Sequence, residues 1–250
     1  MSFSEAWLRR REPYDHAARH EGLAQRFVDL MQGERVLDLG GGTGSGARYL
    51  RRLDASLDVW VVDHDRALLA TAAEQGFATQ VADLRQWEEL PDAGGLHCQA
   101  LLDLVSWDWL QAWITQLIEE PVPLLAALTV DGRVRFSPED RDDEEVLSCF
   151  RAHQSLDRGF GPSPGTRAAP TLARRLMQAG WDVVVEPADW RIPATDVDMV
   201  RIMVDGISEA AAEMAIQPAR VHAWAERRSG GLTVGHLDIL AIPPSRQRRA

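Results

Sequence analysis

Residues 36 to 46 read VLDLGGGTGSG, an acid set in a short apolar run and then five glycines within seven positions. Asp38, Gly40, Gly42 and Gly44 alternate as D-x-G-x-G-x-G. Glycine lets a backbone adopt positive φ and come close to a ligand, and loops of this kind usually cradle phosphate on free amides. A carboxylate at the mouth of the loop opposes phosphate and favours a ligand with positive charge, such as an ammonium or a sulfonium. Asp63 closes the next apolar run, DVWVVD, where an acid can accept hydrogen bonds from both hydroxyls of a ribose. Asp83 follows a third run. Glycines that made only a tight turn would leave unexplained why acids stand at successive strand ends, the place where open α/β sheets bind ligands.

The elements needed to place these residues can be read from hydrophobic period and turn chemistry. Phe3 to Arg11 reads as a short helix broken at Pro13, and Asp15 to Met31 as a second helix capped by Asp15. Strands follow at Arg35 to Leu39, Asp58 to Asp63, Ala78 to Ala82 and His97 to Val105, the last entered through a turn at Asp92 to Gly95. Helices at Gly44 to Leu53 and Asp65 to Glu74 alternate with them, which implies a parallel sheet wound on both faces. Leu110, Trp113, Ile114, Leu117 and Ile118 form one helical stripe that Pro121 closes. Beyond it come a strand near 123 to 136 around Asp131-Gly132, an acidic helix at 138 to 154, the loop GFGPSPG at 159 to 165, and a helix at 171 to 179. A strand at 181 to 186, helices at 196 to 214 and 218 to 228, and a last strand at 232 to 242 complete the chain. The expected fold is a single α/β domain with a doubly wound, mostly parallel, seven-stranded sheet.

On these segments the chain resembles the class I S-adenosylmethionine-dependent methyltransferases, a Rossmann-like superfamily, which implies an amino-terminal helical lid over residues 1–33, a cofactor-binding core over 34–136, and substrate-side elements with the last strands over 137–250. Their first motif reads as Asp38 to Gly44 does. The resemblance implies S-adenosyl-L-methionine as cofactor, its ribose on Asp63 with His64 alongside, and its adenine by Asp83 with Leu84 against the ring. It further implies that Leu102-Asp103-Leu104-Val105-Ser106-Trp107 passes beneath the methionine part and opens the acceptor site, with Asp103 and Leu104 on the cofactor. Residues 35 to 118 carry this likeness, and the remainder matches by element order alone. A nicotinamide enzyme is the nearest rival, since Gly42-x-Gly44-x-x-Ala47 satisfies the loose dinucleotide fingerprint, although that fold places no acid two positions before its first glycine.

Methyl transfer depends mainly on positioning, with a base needed only when the nucleophile carries a proton. The amine-methylating signature [DN]PP[YF] is absent after the fourth strand, where the chain reads DLVSWDW, which argues against methylation of a nucleic-acid base or glutamine amide by that route. His153 ends a helix before a glycine-rich loop and is a candidate base, or a histidine placed there by the helix dipole. Asp108 is a candidate base or a helix cap, and Tyr14 a lid residue over the methionine part or a packing tyrosine. Arg11, Arg19, Ser106, Trp107, Gln154 and Phe160 are the candidate substrate-binding residues. About forty residues, Ile192 to Gly231, separate the last two strands where the family commonly has a short hairpin, and this insertion would cover the substrate or form a homodimer face.

Composition narrows the partners. The 250 residues are 45% hydrophobic with a net charge of -11, so a partner held through phosphates, nucleic acid above all, is disfavoured. All 27 basic residues are arginine, which rules out chemistry through a lysine Schiff base. Cys98 and Cys149 lie outside any metal or disulfide spacing, so no metal is expected. No apolar run is long enough to span a membrane and no signal peptide opens the chain, so a soluble cytoplasmic protein is expected. The expected activity is methyl transfer to a small molecule. The alternatives are a protein or RNA methyltransferase, a non-catalytic binder of the same cofactor, and an NAD-dependent reductase.

Overall fold

The computed structural model describes residues 3–86, 92–157 and 161–244. Its centre is a sheet ordered β3-β2-β1-β4-β5-β8-β6. The strands are β1 (Val36–Leu39), β2 (Val59–Asp63), β3 (Ala78–Val81), β4 (Gly95–Gln99), β5 (Leu124–Ser137), β6 (Asp182–Pro187), β7 (Trp190–Ile192) and β8 (Gly231–Ile242). β1 to β5 run parallel, while β8 lies antiparallel between β5 and β6. Chain order reverses between β1 and β4, the switch point at which the carboxyl ends of neighbouring strands splay apart and leave a crevice. Eight strands are present rather than seven. The added one, β7, pairs with the far half of β8, whose twelve residues outrun β6.

Helices cover both faces: α1 (Glu5–Ala18), α2 (Glu21–Leu30), α3 (Ser45–Leu53), α4 (Arg66–Glu74), α5 (Trp107–Glu119), α6 (Asp143–Gln154), α7 (Ala168–Gln178), α8 (Val197–Met214) and α9 (Pro218–Arg227). One apolar layer joins the outer faces of β1 and β4 to α5 and α7 through Leu110, Ile114 and Leu172, and a second joins α2 and α3 to the opposite face through Phe27, Tyr49 and Leu50. A third lies outside the central sheet, where α6, α8 and α9 pack on the extended halves of β5 and β8 with β7. The insertion before β8 therefore has its own core, centred on Trp224 and Val204. None of the described helices is long and apolar enough to cross a membrane.

Two expected boundaries move. Pro13 lies inside α1 rather than ending it, because the one hydrogen bond it removes is outweighed by the contacts that hold α1 along its length. Asp15 is consequently no cap. It sits buried on the inner face of α1, its carboxylate bonded to Arg11 (3.0 Å), Gln99 Nε2 (3.0 Å) and Trp190 Nε1 (3.1 Å). The fourth strand ends at Gln99 rather than Val105, because Ala100 turns to a φ of +50 and leads the chain away from the sheet.

Beneath the glycine loop a buried polar chain crosses the sheet. Asp38 Oδ1 lies 2.6 Å from His97 Nδ1, His97 Nε2 lies 3.2 Å from Arg19, and Arg19 Nε donates to Asp238 at 3.3 Å. Asp238 in turn accepts from the Leu128 amide (2.8 Å) at a bulge in β5 and from the His20 amide (2.9 Å). Asp38, His97 and Asp238 are wholly excluded from solvent, so each charge is kept by its neighbours and not by water. Gly46 fits against this chain because it has no side chain. A Cβ there would lie 2.5 Å from His97 Cε1. Gly46→Ala should therefore destabilise the fold by about 2 kcal/mol through overpacking against a ring that cannot move, read as a shift in urea midpoint. An unchanged midpoint would show that His97 yields.

Candidate functional site

The crevice over the switch point is a cavity enclosing about 1220 Å3 of unfilled space, including space open to solvent. That is room for a cofactor-sized ligand. Its floor is the loop Gly40 to Thr43 with Ser45 and Gly46, its far wall Asp63, His64, Ala82, Asp83 and Leu84, and its near wall Gln99, Ala100, Leu101 and Leu104. Phe3, Leu8, Arg11 and Asp15 of α1 lie over it. Gly40 and Gly42 have φ of +65 and +53, and the Gly42 amide donates to Asp63 Oδ2 at 2.9 Å, so the loop is clamped to the end of β2. Asp63 Oδ1 accepts from the Asp65 amide at 2.9 Å and lies 3.1 Å from His64 Nδ1. Arg85 grips Asp83 through two nitrogens, and these hydrogen bonds hold the Asp83 carboxyl well below the usual carboxylate range.

A second cavity of about 880 Å3 adjoins the first, and Phe3, Arg11, Ala100 and Leu104 line both. Its walls are mostly apolar: Trp7, Leu128, Phe150, Trp190, Met203 and Val234 among them, from α1, β5, α6, β7, α8 and β8. Arg133, Asp103, Gln154 and His236 are its other polar residues besides Arg11. Arg11 is held by Asp15 and stacks over the Trp190 ring at 4.9 Å, and Arg133 is shared between Asp131 and Asp189. His236 is 4% exposed, packs 5.3 Å from the Trp190 ring, and its Nδ1 has no hydrogen-bond partner among the described residues. Burial, with Arg11 next in importance, lowers its pKa to about 4. The ring is therefore neutral near pH 7.

The two cavities thus meet at Ala100 and Leu104, the first of them floored by glycines. No protein-family model matches the chain. A trans-aconitate 2-methyltransferase of Mycolicibacterium gilvum is 32% identical over 175 residues, covering 68% of this chain and 66% of that protein. A protein of the same name from Mycobacterium tuberculosis is 35% identical over 92 residues, 36% of this chain and 35% of its own length. Among solved structures, a cyclopropane-fatty-acyl-phospholipid synthase-like protein from Lactobacillus casei shares the fold with a TM-score of 0.51 at 14% identity, covering 96% of this chain and 94% of that one. TehB from Haemophilus influenzae does so with a TM-score of 0.50 at 14% identity, over 90% and 62%. The chain is related in sequence to these methyltransferases and has the fold that the solved structures share. It spans just under two thirds of the first curated relative and about a third of the second.

Several residues picked out by sequence line the first cavity: Asp38, Gly40, Gly42, Asp63, His64, Asp83, Leu84 and Leu104. Asp38 and Gly44 stand differently from the expectation. The Asp38 carboxylate is wholly buried and bonded to His97 and to the Ala47 amide (3.1 Å), so it anchors the loop and the start of α3. Gly44 is the amino cap of α3, with φ +83 and its space bounded by Ala72 and Val61, and is not a wall of the cavity. Asp103 and Gln154 line the second cavity, and Arg11 spans the two.

The remaining expectations are corrected by position. His153 lies outside both cavities and pairs with Glu213 of α8 at 3.2 Å, because its ring projects toward the insertion and not toward the sheet edge. Asp108 is exposed on the first turn of α5, and the cap there is Ser106, whose Oγ accepts from the Trp109 amide at 3.0 Å. Tyr14 donates to Asp196 Oδ2 at 2.6 Å, and burial and that carboxylate push its pKa up to about 12, so it fastens α1 to the start of α8. Arg19 belongs to the buried chain beneath the loop, and Trp107 packs under the Arg167 guanidinium at 5.2 Å. Phe160 lies outside the described residues.

Sequence reasoning missed His236, Gln99 and Asp15. His236 sits in the last strand, TVGHLDIL, where it and Asp238, two positions on, are buried polar residues in an otherwise mostly apolar run, and that pair was the available signal. Its folded pKa lies below that of a free histidine, so the unfolded chain binds the extra proton between about pH 6.5 and 4, and stability falls as pH drops through that window. His236→Gln should remove that loss, on the order of 3 kcal/mol between the two pH values, as read by urea midpoints. Equal acid sensitivity in both proteins would contradict the buried, neutral ring.

Proposed function

We propose that this chain binds S-adenosyl-L-methionine in the glycine-floored cavity and transfers its methyl group to a small molecule held in the adjoining one. The observation that carries this is the junction of the two cavities, where Ala100 and Leu104 line both beneath Phe3 and Arg11 of α1. Ala100 keeps a positive φ unusual for a residue with a side chain, the kind of backbone strain that persists where the surroundings fix it, often beside ligands. The family supplies the methyl donor, and the relatives are named for a small-molecule acceptor.

The cofactor brings a methyl group already activated on a sulfonium. The chain's own part is to hold and enclose. Gly40 and Gly42 let backbone amides come close, Asp63 presents its carboxylate to the ribose, Asp83 with Leu84 faces the adenine, and Gln99 and Asp15 supply polar groups near the methionine end. Residues 3 to 15 close over the bound pair and exclude water, as a lid spanning 1–33 would. The strongly acidic surface, with a net charge of -11, favours a small acceptor over nucleic acid, and the fold suits a cytoplasmic enzyme working where the cofactor is made.

Isothermal titration should show micromolar or tighter binding of S-adenosylhomocysteine and no binding of NADH. Asp63→Ala should weaken the former by about 1 to 3 kcal/mol, the effect of leaving buried ribose hydroxyls unpaired. Tight NADH binding with none of S-adenosylhomocysteine would overturn the assignment.

A further inference from the structure

The second cavity is more informative about the acceptor than the first is about the donor. Trp7 and Trp190 lie edge to face with ring centres 6.3 Å apart and, with Phe150, Met203 and Val234, give a flat apolar molecule most of what it would touch. The two guanidiniums on its walls are spoken for: Arg11 by Asp15, and Arg133 by Asp131 and Asp189. Asp103 adds a carboxylate to the same walls. An acceptor with several negative charges would meet this carboxylate and, among the described residues, guanidiniums already paired with aspartates. A protonated amine would meet the same carboxylate but also two guanidiniums, Arg11 and Arg133. On the same walls the buried Nδ1 of His236 has no hydrogen-bond partner among the described residues. A buried nitrogen without a partner carries a free-energy penalty that a hydroxyl donor would relieve.

Resting on the function proposed above, we propose that the acceptor is a flat, largely apolar molecule bearing one hydroxyl, a phenol or its polycyclic equivalent, and that His236 accepts the hydroxyl proton during transfer. The acceptor oxygen forms its bond to the methyl carbon as the bond from that carbon to sulfur breaks, and the bonding pair stays on sulfur. S-adenosylhomocysteine and the methyl ether result. The proton passes from oxygen to His236 and then to solvent, so the ring returns neutral. Bond formation makes the hydroxyl proton strongly acidic, so a neutral histidine can take it without a free phenolate first. The charged groups that face this ring are Arg11 from α1, Asp131 from β5, Asp189 between β6 and β7, and Asp238 on β8 itself. The acceptor thus differs from the polycarboxylate for which the curated relatives are named.

The test combines methyl transfer with direct binding, using naphthol, trans-aconitate and a naphthylamine as probes. With radiolabelled S-adenosylmethionine the full chain should methylate naphthol and leave trans-aconitate and the amine untouched. With S-adenosylhomocysteine bound, naphthol should quench tryptophan fluorescence. His236→Asn should lower kcat on naphthol at least a hundredfold, leave the dissociation constant for S-adenosylhomocysteine within twofold, and abolish the acidic limb of the pH profile. Met203→Trp, which fills the cavity from α8, should abolish naphthol binding at unchanged S-adenosylhomocysteine affinity, and serves if the histidine variant does not fold. Methylation of trans-aconitate or of the amine instead of naphthol, or cofactor-product binding with no naphthol binding, would overturn the proposal while leaving the methyl-donor assignment in place. An unchanged kcat in His236→Asn would remove the histidine's role. Failure to bind S-adenosylhomocysteine at all would overturn the function on which the proposal rests.

Discussion

The structure depends on one buried polar chain, Asp38 to His97 to Arg19 to Asp238. It links four strands and the loop that follows α1: Asp38 on β1, His97 on β4, Asp238 on β8 and the Leu128 amide it captures on β5, with Arg19 closing the gap. Each member hydrogen-bonds the next, which makes the chain tolerable without water, and removing any member would leave its neighbour buried and unpaired. Everything that faces a ligand is held from behind by it. Asp38 pins the first turn of α3 and so sets the glycine loop, Arg19 reaches Gln99 at the cavity wall, and Asp238 fixes the bulge from which β5 turns toward the second cavity.

The same chain explains why α1 can serve as a cover. Its far end is tied down through Arg19, its middle through Asp15 to Gln99 and Trp190, and Tyr14 fastens it to the start of α8. Only the stretch from Phe3 to Leu8 is held mainly by apolar contact, including Leu8 over Gly42. A cover anchored at one side and light at the other can admit a cofactor and then exclude water from the reacting atoms.

The glycine-floored cavity was legible in the sequence because it is local. Strand, acid, glycines and helix follow one another within a dozen residues, and the acids at Asp63 and Asp83 repeat the pattern at the next strand ends. The adjoining cavity was not. Its walls come from α1, β5, α6, β7, α8 and β8, brought together only by the sheet, and a single histidine in the last strand reads like any core position. The same limit misplaced Asp38 and Arg19. Residue type and spacing pointed to charge at the site, but which charges meet each other and which meet a ligand depends on contacts between residues far apart in sequence. His153 and Asp108 were singled out for their place beside loops, and helix rotation turns the first toward Glu213 and the second to solvent.

The most direct test of the account is a crystal structure of the chain with S-adenosylhomocysteine and naphthol bound. The account predicts the ribose against Asp63, the sulfur at the junction beside Ala100 and Leu104, and the naphthol ring between Trp7 and Trp190 with its oxygen within hydrogen-bond distance of His236. A sulfur pointing away from that junction, or an acceptor bound elsewhere with the second cavity unfilled, would contradict it.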